Sequence, residues 1–152
     1  MIQRIQSIFL LLAMIAWNIL FFKPIMGFTT DAGGSWYLLA SSIKESAGDG
    51  IVMTTIPLLV LLIIIDLLLL SALLLYRRRT LQLRVTLLSM ILQIFSYGLI
   101  GLYVFFGVNK LDASAHLLFS TVMPLVAFVL TFLAFRGIRR DILLLKALER
   151  LR

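Results

Sequence analysis

Residues 52–79 read VMTTIPLLVLLIIIDLLLLSALLLYRRR. Val52–Tyr76 stays apolar for the ~17–25 residues that a helix needs to cross a bilayer, and it stops against three consecutive arginines. Three more runs share this character: Ile5–Phe22, Val85–Val108 and Ala115–Phe135. The chain thus reads as an all-α membrane protein, an antiparallel bundle of four transmembrane helices. Residues 1–135 form the bundle, with spans at 5–22, 52–76, 85–108 and 115–135 and an outer loop at 23–51. Residues 136–152 form a basic amphipathic cytoplasmic tail.

Composition agrees. The 152 residues are 62% hydrophobic and 14% charged, with a mean hydropathy of +1.10. Soluble domains are roughly 45–50% apolar and about 25% charged. A chain this short and this apolar has no water-soluble core large enough to hide such a surface, so lipid is its expected solvent. The absence of cysteine removes disulfides, thiolate metal sites and thiol nucleophiles together. One histidine, His116, leaves little for a metal centre, and neither a metal nor another cofactor is expected.

The net charge of +7 does not point to nucleic acid, because of where the charge sits. All but three of the 14 basic residues lie at the start, between the second and third spans, or after the fourth: Arg4; Arg77, Arg78, Arg79 and Arg84; Arg136, Arg139, Arg140, Lys146, Arg150 and Arg152. The other side holds Lys23, Lys44 and Lys110, with the acids Asp31, Glu45, Asp49 and Asp112. Basic short loops stay in the cytoplasm. Both termini are therefore expected there, with the 23–51 and 109–114 loops outside. Arg77, Arg78, Arg79, Arg84, Arg136, Arg139 and Arg140 then become contacts for anionic lipid headgroups or for a partner. Gln3, Arg4 and Gln6 read the same way. The first span is too long for the apolar core of a signal peptide, and Lys23-Pro24 follows it rather than a small-residue cleavage site, so it is expected to be retained.

Local signals mark the connections. Pro24 ends the first helix. In the outer loop, Gly33-Gly34 suits the turn of a short hairpin, while Trp36–Ser46 suits equally a short interfacial helix. Pro57 and Pro124 read as structural kinks within spans. Asp112 or Ser114 is positioned to cap the fourth helix. Gly98 and Gly101 permit close helix approach. In the tail, Ile138, Ile142, Leu145 and Leu148 fall on one helical face, of a helix either continuous with the fourth span or bent, with Gly137 the natural place for a bend. Such a helix either lies on anionic lipid or docks a partner.

Asp66 is the one ionisable residue deep in a span. A central aspartate costs about 2.5–3.5 kcal/mol on insertion scales, so it should face the bundle and find a partner. Counting depth from the arginines places Gln93 and Tyr97 at its level, with Asn18 slightly farther out. The expected cluster is Asp66, Gln93 and Tyr97, with Asn18 as a further member. It serves either as interhelical glue or as a proton or cation relay. No HExxH, GxSxG or phosphate-binding glycine loop is present, and no span carries paired acids. Catalysis is not expected.

The opening Met1-Ile2-Gln3-Arg4-Ile5-Gln6, the tail motif Ile138-Arg139-Arg140-Asp141 and the close Glu149-Arg150-Leu151-Arg152 resemble an uncharacterised family of short bacterial four-helix membrane proteins that carries only a domain-of-unknown-function label. The resemblance covers essentially the whole chain. It implies a bacterial inner-membrane location and brings no activity, substrate or site residue. The functional expectation is a structural or accessory subunit binding a partner protein or itself through the tail and outer loop. The alternatives are a small transporter or proton-coupled channel using Asp66 and, more weakly, lipid or quinone binding between helices.

Overall fold

The computed structural model describes residues 2–30, 33–46, 48 and 50–150, with backbone alone at 2–4, 146 and 148–150. Readings that rest on Asp31, Asp49 or Arg152, or on the side chains of Gln3, Arg4, Lys146, Leu148 and Arg150, fall outside it. In chain order the elements are α1 (Ile2–Phe22), β1 (Met26–Thr30), β2 (Ser35–Leu38), β3 (Ser42–Glu45), β4 (Ile51–Thr54), α2 (Ile56–Leu74), a single 3-10 turn (Leu75–Arg77), α3 (Arg79–Leu111), β5 (Ala113–Leu117) and α4 (Phe119–Arg150). The four expected helices are present, each long and apolar enough to cross a membrane. The chain is not all-α, however. The two loops expected outside fold together into a five-stranded antiparallel sheet of order β4-β3-β2-β1-β5.

The helices form an up-down-up-down ring. α1 packs on α4 and α2, and α3 packs on α2 and α4, so α1 and α3 sit diagonally. Leu58, Leu62, Ile65, Leu69 and Ala72 recur every three or four residues on α2 and face the interior with Leu10, Trp17 and Leu20 of α1. At 1.5 Å per residue, the 33 residues of α3 and the 32 of α4 are each about 50 Å long. Both exceed the ~30 Å of a bilayer core. The excess of α3 meets the sheet at one end, and the excess of α4 carries the tail at the other.

Several sequence boundaries move. Val52–Thr54 and Ala115–Leu117 are strands, not the starts of spans two and four. Hydropathy adds up apolar content and does not register a change of period over three residues. α2 therefore begins at Ile56, which puts Pro57 in the first turn, where its missing N–H is no loss and no kink follows. Pro124 does lie inside α4. α3 already starts at Arg79. α4 runs through Phe135 without interruption, so the helix does not break at Gly137 and the tail continues the fourth helix.

Gly33 takes φ +82 at the β1–β2 turn, where the Thr30 N–H donates to Gly34 O at 2.9 Å. Trp36–Ser46 forms strands rather than an interfacial helix: Phe28 pairs with Trp36 and Trp36 with Glu45. Asp112 takes φ 45 at the C-cap of α3 and does not cap α4. Ser114 Oγ instead meets Thr29 Oγ1 at 2.9 Å across the β1–β5 pair, and the Leu118 N–H that opens α4 donates to Thr121 Oγ1 at 3.2 Å.

Three contacts seat the sheet on the bundle. A Cβ on Gly107 would lie 2.9 Å from Phe28 Cζ, so the glycine lets β1 press onto α3. Thr55, fully buried, donates through Oγ1 to the Ala40 carbonyl at 3.1 Å and ties the β2–β3 turn to α2. Lys110 Nζ donates to Val52 O at 3.0 Å. The His116 ring covers its cross-strand partner Gly27, a packing role for the chain's one histidine.

Candidate functional site

Two sets of buried and half-buried polar side chains occupy the helices, and neither is the expected cluster. In the first, Asn18 Nδ2 of α1 donates to Asp66 Oδ1 of α2 at 2.9 Å and to the Met14 carbonyl at 2.9 Å. One turn away, Trp17 Nε1 donates to Leu62 O at 3.1 Å. Asp66 is half-buried at the α1–α2 contact rather than enclosed at the bundle centre.

In the second set, Gln93 Nε2 donates to Thr131 Oγ1 of α4 at 3.2 Å, and Tyr97 OH donates to the Thr121 carbonyl at 3.2 Å. Gln93 and Tyr97 therefore join α3 to α4, while Asp66 and Asn18 join α2 to α1. Counting residues gives depth along the axis but not direction around it. Asp66 turns towards α1, while Gln93 and Tyr97 turn towards α4.

Gln93 belongs to a buried row on α3: Gln82, Thr86, Ser89, Gln93 and Ser96. The spacing of four and three was readable as one helical face. Its hydroxyls turn back on their own helix, Thr86 Oγ1 donating to Gln82 O and Ser89 Oγ to Thr86 O, both at 2.8 Å. Among the described residues, Gln93 Oε1 is left buried without a hydrogen-bond partner. Gly98 and Gly101 are exposed, with no atom of the described residues near where a Cβ would stand, so they mediate no close approach among the described residues.

At the opposite end from the sheet the arginines gather. Arg77, Arg78, Arg84, Arg136, Arg139 and Arg140 are exposed there, and among the described residues none meets a carboxylate. Arg79 differs: its guanidinium lies 3.7 Å from Asp141 Oδ2. Asp141 is buried and also accepts from Gln6 Nε2 at 2.8 Å. Gln6 is thus an interior group rather than a headgroup contact. Gly137, one turn before Asp141, makes room for it: a Cβ there would lie 2.9 Å from Gln6 Cγ. This three-helix junction of α1, α3 and α4 was missed in the sequence. Its one local signal is an acid set directly after Arg139-Arg140.

Among the described residues no three His, Asp or Glu side chains converge as a metal site. The model of a family described as a domain of unknown function matches residues 2–151. No curated protein matches the chain.

Proposed function

The chain belongs to the DUF4293 family, a domain of unknown function, and from that premise we propose that it is a non-enzymatic integral membrane protein that acts as a structural or accessory subunit, binding a partner protein or a second copy of itself. Four apolar helices of spanning length support the membrane setting. The gathering of arginines at one end supports cytoplasmic termini in a bacterial inner membrane, with the sheet outside. The exposed arginines then meet anionic headgroups, their stems lying along the apolar helices.

The observation that carries the subunit role is the braced tail. An uninterrupted α4 is anchored at Asp141 by Gln6 and Arg79, so its last turns continue the fourth helix from a fixed point. Just beyond that anchor Leu143, Leu144 and Leu145 are 58%, 50% and 44% exposed. Apolar side chains held past an arginine layer call for a protein surface to cover them. Removing residues 143–152 spares the anchor. The truncated chain is expected to insert normally and to lose the complex, homomeric or heteromeric, that the intact chain forms on purification from membranes. An unchanged complex would refute the tail as the docking element.

Proton-coupled transport through Asp66 is the second reading. Its support is a mid-span carboxyl that is half-buried with one amide partner, Asn18. The same geometry serves as interhelical glue, which the subunit role needs and a relay does not.

A further inference from the structure

We propose that the groove between α1 and the start of α4 holds one anionic phospholipid, with an acyl chain along α1 and the headgroup phosphate on Lys23. The inference rests on the membrane reading above and adds a specific ligand to it. The groove encloses about 840 Å³, within the ~300–1,000 Å³ typical of small-molecule sites. Met14, Ile15, Ile19, Phe22 and Phe119 make it apolar. Asn18 also lines it, but both its amide hydrogens are committed, one to Met14 O and one to Asp66 Oδ1. It therefore presents no free donor to a ligand.

Lys23 is the one charged residue in the lining. It directly follows the last residue of α1, is exposed, and forms no ion pair among the described residues. From Met14 to Lys23 the rise is about 13 Å, close to half of the ~30 Å bilayer core. The groove is therefore as deep as one leaflet, with its cation at headgroup level. Phe22 and Phe119, which line the groove, are 81% and 78% exposed, more than any other large apolar side chain described. Lys23 also stands at the sheet end, away from the arginines. A lone ammonium over an apolar slot selects a single anionic headgroup, where the arginine end attracts many without distinction.

The test uses the full chain in nanodiscs of phosphatidylcholine containing phosphatidylglycerol, with retained lipid counted by native mass spectrometry after release into mild detergent. One phosphatidylglycerol per chain should be retained in preference to phosphatidylcholine. Lys23→Gln should weaken that preference about five-fold, the effect of one basic side chain at an anionic surface. Ile15→Trp, which fills the slot from an exposed position, should abolish retention of both lipids. Lys44→Gln, on the sheet, should change nothing. Equal retention of the two lipids by the wild type, or an unaltered preference in Lys23→Gln, overturns the proposal. So does a drop from dimer to monomer mass in Ile15→Trp, which would make a second copy the occupant. Carbonate extraction of the same wild-type chain separates the two failures: a chain released from membranes sinks the membrane reading, while an embedded but lipid-blind chain sinks only this site.

Discussion

Replacing Gly137 by alanine should destabilise the protein, and the same replacement should stabilise it once Gln6 has been shortened. In a helix, Gly→Ala gains about 1 kcal/mol. At position 137 the new Cβ would stand 2.9 Å from Gln6 Cγ, 3.2 Å from Nε2 and 3.4 Å from Cδ. The Gln6 side chain has to move, and in moving it gives up the 2.8 Å hydrogen bond to the buried Asp141 carboxylate. A hydrogen bond to a charged group contributes about 1.5–3 kcal/mol. The Arg79 contact, at 3.7 Å and 27% exposed on the arginine side, replaces little of it. Gly137→Ala alone should therefore cost roughly 0.5–2 kcal/mol. Gln6→Ala removes both the obstacle and the bond. In that background Gly137→Ala should gain about 1 kcal/mol, a coupling of about 1.5–3 kcal/mol between the two sites. Unfolding by SDS in mixed micelles, followed by the fluorescence of the buried Trp17, measures all four corners of the cycle. The same ΔΔG for Gly137→Ala in both backgrounds would refute the junction.

Two further outcomes follow from the geometry. Gly107→Val should push on the Phe28 ring and Ile43 Cδ1, cost about 1–3 kcal/mol as an overpacked contact, and raise hydrogen exchange in residues 26–54 more than in the helices; uniform exchange would mean that the sheet does not rest on α3. Asp66→Asn should shift stability by less than about 1 kcal/mol, because an amide can still accept from Asn18, while Asp66→Leu should leave Asn18 unpaired and loosen the α1–α2 contact; a severe loss with Asn would mean that the charge itself matters, as a relay requires.

The helices were legible because long apolar helices write themselves along the chain as unbroken apolar runs, and the arginine asymmetry was legible because charge is a property of position alone. The β1–β2 hairpin was half legible, through Gly33-Gly34. The rest of the sheet was not. β4 is apolar and abuts an apolar helix, so Ile51–Thr54 and Ile56–Leu74 merge in any hydropathy window. β5 has no partner within reach in sequence, since Ala113–Leu117 pairs with β1 across the whole of α2 and α3. At Asp66, depth counting found Asn18 among the right partners and also brought in Gln93 and Tyr97, which point to α4.

The chain by itself determined that there are four helices of at least membrane-spanning length and which end carries the arginines. These follow from composition summed along one dimension. The tertiary structure alone decided which helix faces which, that the two loops close into one sheet, and that Gln6 meets Asp141 across 135 residues. Those contacts depend on the rotation of each helix about its own axis. That rotation is set by how small and large side chains interlock between neighbours, as at Gly137 and Gly107, and a linear pattern does not carry it.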